Sequence, residues 1–199
     1  KLRERPVVRK AMRTGVPQRL LPLAFQLCAA LLGWLGAGAP LLGGLRPLGL
    51  CFAAAVPTPY AVCAAAGAAA GYAFALPLAD AAPYLAGAAV VALLRGLAGT
   101  RRQNYAPMAP ATAAGIVFCL IRSGLAVAGY AGLPGILSAA AEALLVLGLS
   151  YLLVGFFAVP RQGGMPQDAE ERAALCFAFM ALLACLTPYT VLGLSLIHI

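Results

Sequence analysis

Long apolar runs, separated by proline, glycine or charged residues, dominate the hydrophobic pattern of this chain. A helix needs roughly 20 consecutive apolar residues to cross a bilayer, and most of the runs approach that length. The second run is shorter, which indicates a helix that begins before Pro47 or is tilted or half inserted. The pattern predicts helices at about 20–38, 47–57, 60–77, 81–98, 107–130, 135–159 and 173–193.

The composition indicates that these helices lie in a membrane. Hydrophobic residues make up 63% of the 199 and charged residues only 10%, whereas a soluble domain carries about 25% charged residues. So few charges cannot cover a globular surface, which excludes an ordinary soluble domain. The sequence therefore predicts an all-α fold, a polytopic transmembrane bundle of about seven spans, with a basic segment at 1–19 and a membrane domain at 20–193.

Basic residues predict the orientation of the bundle. The net charge is +8, yet Lys and Arg stand in short clusters between apolar runs, as in cytoplasmic loops and unlike a nucleic-acid-binding stripe. Residues 1–19 hold seven basic residues against Glu4, which predicts a cytoplasmic N-terminus lying against anionic lipid. The outer connections then hold only Arg46 and Asp80. The inner ones hold Arg161 and Arg172 and the three arginines expected to determine topology, Arg95, Arg101 and Arg102.

Two charged residues, Arg122 and Glu142, lie within predicted spans. A charge in a span costs about 2.5–3.5 kcal/mol even on a lenient insertion scale. Both residues stand about ten positions from the turn near Gly132, so on antiparallel helices both lie about 15 Å from the same end. The sequence predicts a structural ion pair between them. The alternative is a proton or ion path, with Asp80 as a third group.

No residue pattern predicts catalysis or the binding of a metal or cofactor. The sequence has no Ser–His–Asp set, no phosphate-binding loop after a strand and no cluster of metal ligands. The six cysteines all fall in apolar runs, which predicts small buried hydrophobic residues. The stretch GAAAG, Gly67 to Gly71, matches the close-packing motif of membrane helices. The acidic group at 168–171 is explained by the start of a helix, where negative charge is favoured.

Several phrases, in this order along the chain, resemble the membrane region of the stage II sporulation protein E family. The resemblance covers almost the whole chain, with Leu48 standing where an aromatic residue is expected. The phrases are LLGGLRPLGLCFAAAV at 41–56, the basic helix end from Arg95 to Arg102 before a span with IRSGLAVAGY, an Ala-Glu-Ala step at 141–143, and DAEERAALCFAFMALLACL at 168–186.

This resemblance implies a function for the parent protein and a role for the present segment. Members carry about ten spans, a linking region and a PP2C-type serine/threonine phosphatase domain that uses manganese or magnesium. The phosphatase dephosphorylates an anti-anti-sigma factor at the asymmetric division septum, where the protein also meets the tubulin-like division protein. The present chain is then a multi-pass plasma-membrane anchor without enzymatic activity or cofactor of its own, whose partners are the lipid bilayer and, as an open question, further copies. The alternatives are a small-solute transporter and a polytopic sensor module.

The last six residues, LSLIHI at 194–199, contain the sole histidine of the chain, His198. They match what the end sequence used in transposase-based DNA library preparation encodes in one reading frame. We therefore expect residues 194–199 to be a sequencing artefact, and we give His198 no functional weight.

Overall fold

The computed structural model describes residues 20–41, 44–58, 60–101, 108–129, 132–162 and 172–182, together with Cys185. The predictions for 1–19, for Arg102, for the acidic group at 168–171 and for 194–199 lie outside these residues. The described part of the chain is all-helical, apart from short connections and a β-bridge between Leu41 and Leu45. The expected fold class is confirmed at this level.

The described residues form seven helices, whose ends fall at the proline and glycine positions that separate the apolar runs. Pro110 begins one helix in the first turn, where its missing N–H costs nothing, and Pro77 follows the end of another. The helices are α1 (Leu20–Gly38), α2 (Leu48–Ala55), α3 (Ala61–Ala75), α4 (Leu78–Arg101), α5 (Ala109–Ala128), α6 (Gly132–Gln162) and α7 (Arg172–Leu182).

Three of these helices are long and apolar enough to cross a membrane, over Leu78–Leu97, Ala109–Ala128 and Gly132–Phe157. The apolar parts of α1, α3 and α7 are shorter, at 10–17 residues each. Large apolar side chains point outward from the long helices, among them Leu120 and Leu144. Such an apolar exterior would be unfavourable in water and suits contact with lipid chains.

Helices α3 to α6 form an antiparallel series, because short connections join each helix to the next. Contacts fix the directions of α4 and α5: the start of α4 meets the end of α5 at Asp80 and Arg122, and Gly87 lies near Ala114 further along. In the same way Gly115 of α5 lies near Ala143 of α6. Neighbouring helices therefore run in opposite directions through the long-helix half of the bundle.

Helices α1 and α3 run parallel and pack closely through glycines. A Cβ atom added at Gly67 would overlap the carbonyl of Ala30, and one added at Gly33 would overlap that of Ala64. The contact of Gly71 with Trp34 continues the interface toward the other end. The GAAAG stretch thus acts as the sequence motif suggests, since small residues let two backbones approach within van der Waals distance.

Helix α2 lies at the centre of the bundle, with all eight of its residues buried. It contacts each of α1, α3, α4, α5 and α6. Its direction matches that of α4 and α6, because Leu50 meets Gly87 and Arg95 meets Ala54, while Cys51 meets Val146. The six helices from α1 to α6 therefore alternate in direction along the chain.

Helix α2 is short, so backbone polar groups at its two ends lie inside the bundle without helical partners. Eight residues span only about 12 Å, and the residues directly before and after α2 are non-helical. Backbone N–H and C=O groups that lie away from water must find partners inside the protein. The predicted second helix is thus a short, protein-buried helix with non-helical flanks, and the residues that satisfy those flanks form the candidate site.

Candidate functional site

Glu142 of α6 is the most buried charged residue in the described part of the chain, with 1% of its surface exposed. Its Oε1 atom accepts a hydrogen bond from the backbone N–H of Arg46 at 2.9 Å and another from the hydroxyl of Tyr84 at 2.5 Å. A buried carboxylate is tolerated only when hydrogen bonds replace its hydration. These two donors, one from the entrance of α2 and one from α4, provide that replacement.

Tyr72 of α3 completes the polar contacts around the entrance of α2. Its hydroxyl donates to the carbonyl of Arg46 at 2.6 Å and accepts from the backbone N–H of Leu50 at 3.2 Å. Gly49 allows this approach, because a Cβ atom there would lie 2.7 Å from the Tyr72 hydroxyl. Both backbone polar groups of Arg46 are therefore satisfied by side chains from other helices.

These side chains cap the N-terminus of α2, although they belong to other helices of the chain. The first turn of any helix leaves N–H groups without intrahelical partners, and the N-terminus carries a partial positive charge. Pro47 stands at the N-cap position and its side chain makes no capping bond. Tyr72 caps Leu50 in its place, and the carboxylate of Glu142 lies at the helix end that favours negative charge. We call Arg46, Tyr72, Tyr84 and Glu142 the α2 cap.

Aromatic rings enclose the α2 cap on the side of α3 to α5. The rings of Tyr72 and Tyr84 stack with centroids 4.4 Å apart at 19°, and Phe118 of α5 lies 4.9 Å from Tyr84. Tyr72 and Phe118 are fully buried. The stack fixes both tyrosine hydroxyls in position and keeps the hydrogen bonds away from competing solvent.

One face of α6 packs against α2. Glu142, Val146 and Ser150 follow one another at the four-residue spacing that keeps side chains on one helix face. All three are buried, and the carbonyl of Val146 accepts a weak hydrogen bond from the Cys51 thiol at 3.6 Å. Glu142 and this carbonyl supply polar contacts to α2, whereas the buried hydroxyl of Ser150 has no hydrogen-bond partner among the described residues.

The predicted ion pair between Arg122 and Glu142 does not form. Arg122 instead approaches Asp80, with 3.4 Å between Nη1 and Oδ1, and these side chains are 32% and 56% exposed. Asp80 lies at the start of α4 and Arg122 near the end of α5, which antiparallel packing brings together. Arg122 extends to the outside of the bundle, whereas Glu142 turns inward to α2. Gly115 of α5, and not Arg122, lies opposite Ala143 of α6, so the two charges also differ in depth and the equal depth expected from the sequence was wrong.

Arg95, expected to determine topology, also has a structural contact. Its Nη2 donates to the carbonyl of Ala54 at 2.5 Å. Ala54 belongs to the last turn of α2, where carbonyls lack intrahelical partners and a cation is favoured. Arg95 thus satisfies the end of α2 opposite to the α2 cap. Arg101 is the last residue of α4, near the same end of the bundle.

The cysteines divide in a way that the sequence did not predict. Cys51 and Cys185 are buried, as expected of small hydrophobic residues, but Cys28 and Cys176 are exposed on the outer surface of α1 and α7. All six are free thiols. Among the described residues no group of three or more His, Cys, Asp or Glu side chains could hold a metal ion.

Tyr72, Tyr84 and the backbone of Arg46 are the parts of the site that sequence reasoning missed. Only Glu142 carried a signal, as a charge within an apolar run. The shortness of the second run was the other available signal, because a buried short helix needs partners for its ends. Tyrosines on two different helices gave no local pattern, since their contacts depend on tertiary packing.

Comparisons of the chain with family models, with curated proteins and with solved structures find no match. The arguments for function therefore come from the geometry of the bundle, from its charge distribution and from the resemblance seen in the sequence.

Proposed function

We propose that this chain is the membrane anchor and assembly region of a sporulation serine/threonine protein phosphatase. In this proposal the parent protein dephosphorylates an anti-anti-sigma factor and acts at the asymmetric division septum, through regions outside this segment. The ordered phrases that resemble the stage II sporulation protein E family support it. An apolar helical bundle, three of whose helices are long enough to cross a membrane, is the kind of structure an anchor requires.

The observation that carries the proposal is that the buried polar side chains hydrogen-bond to the protein's own backbone. The carboxylate of Glu142 and the hydroxyl of Tyr72 bind the backbone around Arg46 and Leu50. Oxygens that hold the protein's own backbone are not free to receive a solute. Such a cluster favours a rigid scaffold over a substrate path, and rigidity is what positions an attached domain at a membrane.

The proposed topology has about seven spans and a cytoplasmic N-terminus. The alternating directions of α1 to α6 are consistent with it, since a polytopic chain must reverse at each connection. Arg95 and Arg101 lie at the end of α4, on the side where α1 begins, and the positive-inside rule assigns that side to the cytoplasm. Reporter fusions at the α4–α5 and α5–α6 connections test this topology. The α4–α5 fusion should report a cytoplasmic location, and a cytoplasmic signal at the α5–α6 connection would contradict the proposed orientation.

A small-solute transporter is the second candidate, and one specific observation favours it. Transporters build their sites from discontinuous helices near the middle of the membrane, and α2 is a short buried helix with non-helical flanks. The direction of its dipole argues against a cation site at the α2 cap, because the N-terminal end is positive and Glu142 already accepts two hydrogen bonds.

The gene sequence that follows codon 193 in an intact genome discriminates between these functions. A PP2C-type phosphatase domain after further spans is the expected result. An in-frame stop codon or a second complete set of spans would contradict the anchor and favour the transporter or a sensor module. A localisation experiment complements it: the chain fused to a fluorescent protein should reach the cell membrane and, in a sporulating host, concentrate at the asymmetric septum.

A further inference from the structure

The carbonyl end of α2, opposite to the α2 cap, lies inside the bundle, and two prolines remove backbone donors from it. Ala53, Ala54 and Ala55 form its last turn and are at most 4% exposed. In a longer helix the N–H groups of residues 57 and 59 would bond to the carbonyls of Ala53 and Ala55, but both positions are proline, which has no N–H. The guanidinium of Arg95 donates to the carbonyl between them, that of Ala54.

Ser150 of α6 lies beside this last turn of α2. The thiol of Cys51 donates to the carbonyl of Val146 at 3.6 Å, and α2 and α6 run in the same direction. One turn further along both helices, Ser150 on α6 stands level with Ala55 on α2. The Ser150 side chain also lies next to the thiol of Cys51. The hydroxyl of Ser150 therefore belongs to the carbonyl end of α2.

The hydroxyl of Ser150 is a buried polar group with no hydrogen-bond partner in the part of the chain that the structure describes. The residue is 0% exposed. A serine within a helix often donates to the carbonyl four residues earlier, which here is the Val146 carbonyl that accepts from the thiol of Cys51. Because an unpartnered hydroxyl is unfavourable in an apolar interior, this position is suited to a small polar ligand between Ser150 and the helix end.

The groups around this position favour a neutral ligand that both donates and accepts hydrogen bonds. The carbonyls of α2 can only accept, whereas the hydroxyl of Ser150 can do either. The negative end of the α2 dipole disfavours an anion. A cation would be repelled by the guanidinium of Arg95, which already lies at the carbonyl of Ala54. Water satisfies these conditions, and it needs only two to four polar partners in a protein interior.

We propose that a structural water molecule bridges the hydroxyl of Ser150 and the carbonyl end of α2. The water accepts a hydrogen bond from the hydroxyl and donates to a carbonyl of the last turn. It fastens this end of α2 to α6, as the carboxylate of Glu142 fastens the residues before α2 to the same helix. The water site goes beyond the proposed anchor function, because it concerns how α2 is held whatever domain is attached to the bundle.

The stability of a Ser150 variant tests the bridge by the sign of the change. Ser150→Ala should lower the midpoint of thermal inactivation of the full chain in detergent by about 2–4 °C, the shift expected from losing one internal hydrogen bond in a protein of this size. Without a bridging water the substitution removes only an unpartnered hydroxyl, so an unchanged or higher midpoint would overturn the proposal. Ser138→Ala is the control, because Ser138 is exposed on the same helix and donates to the carbonyl of Gly135. An equal fall in the control would contradict the assignment to Ser150.

Radiolytic footprinting tests for the water directly. Brief X-ray exposure of the full chain converts bound water to hydroxyl radicals, which oxidise the side chains next to it even where bulk solvent has no access. Cys51 is 0% exposed and lies beside Ser150, so it should be oxidised several times faster than Cys185, which is 1% exposed. Ser150→Ala should reduce the rate at Cys51 to that at Cys185. Equal rates at the two cysteines of the natural chain would overturn the proposal, whether or not the variant folds.

A sodium ion is the alternative occupant of a site with carbonyl and hydroxyl oxygens, and the salt composition distinguishes it from water. Replacing sodium chloride by choline chloride at equal ionic strength should leave the midpoint of the natural chain unchanged. A fall on removal of sodium would identify a cation site and overturn the water. Failure of any of these tests leaves the phosphatase anchor standing, because the gene sequence beyond codon 193 decides that question independently.

Discussion

The backbone N–H of Arg46 donates to the carboxylate of Glu142 at 2.9 Å, across 96 positions of sequence. This bond joins the non-helical residues before α2 to the first half of α6. It shows why an acidic residue can stand in an apolar helix without a basic side chain beside it. The partner of the carboxylate is a peptide group, which the break before α2 leaves without a helical acceptor.

The loss of stability on replacing Glu142 should therefore depend on whether the new side chain keeps a hydrogen-bond acceptor, and only weakly on its charge. Glu142→Gln keeps a carbonyl oxygen for Arg46 and Tyr84 and should cost little stability. Glu142→Leu leaves the buried N–H of Arg46 without an acceptor and should lower the free energy of unfolding by about 1–3 kcal/mol. Thermal inactivation in detergent, followed by size-exclusion of a fluorescent fusion, measures both. Equal losses for Gln and Leu would show that the charge is what matters.

Tyr72→Phe isolates the other half of the α2 cap. The variant keeps the ring stacked on Tyr84 at 4.4 Å and removes the hydroxyl that binds Arg46 and Leu50. Two buried backbone groups then lose their partner, and we expect a loss of about 1–3 kcal/mol in the same thermal assay. Tyr151→Phe is the matched control, because Tyr151 is 58% exposed. A comparable loss at Tyr151 would indicate that the assay reports hydroxyl removal in general.

The positions of the helices could be predicted from the sequence, whereas most contacts of the candidate site could not. Apolar runs broken by Pro and Gly determine where a helix starts and stops, so the limits of α1 to α6 fall within three residues of the expected ones. The partners of Glu142 and Arg122 depend on helix rotation and on the path of the 39–47 connection. Neither leaves a local signal, because the facing direction and the relative depth of two side chains on neighbouring helices are both decided by how the helices pack.

The glycine contact between α1 and α3 gives a test of that packing. Gly67→Ala places a Cβ atom against the carbonyl of Ala30, so the two backbones must separate. Overpacking of this kind costs about 1–3 kcal/mol. Gly148→Ala is the control, since its added Cβ meets nothing within 4 Å and the position is helical. It should be neutral or slightly stabilising. A neutral result at Gly67 would refute close packing of α1 on α3.

The contact between Asp80 and Arg122 should contribute little to stability, whereas breaking a buried ion pair is strongly destabilising. Both side chains are partly exposed, so their attraction is weakened by the surroundings and should contribute no more than about 1 kcal/mol. Asp80→Asn and Arg122→Gln should each have small effects in the thermal assay. The double variant should lose no more than the larger single effect, because each single change already abolishes the contact.

Charge reversal separates this pairing from the one expected from the sequence. The swap D80R/R122D exchanges the two charges and should retain the stability of the natural chain. The swap R122E/E142R should not, because it puts a guanidinium, which has no acceptor atoms, where the N–H of Arg46 and the hydroxyl of Tyr84 donate. The buried arginine also meets the positive end of α2. Recovery of stability in R122E/E142R, relative to E142R alone, would restore the direct pair and remove Glu142 from the α2 cap.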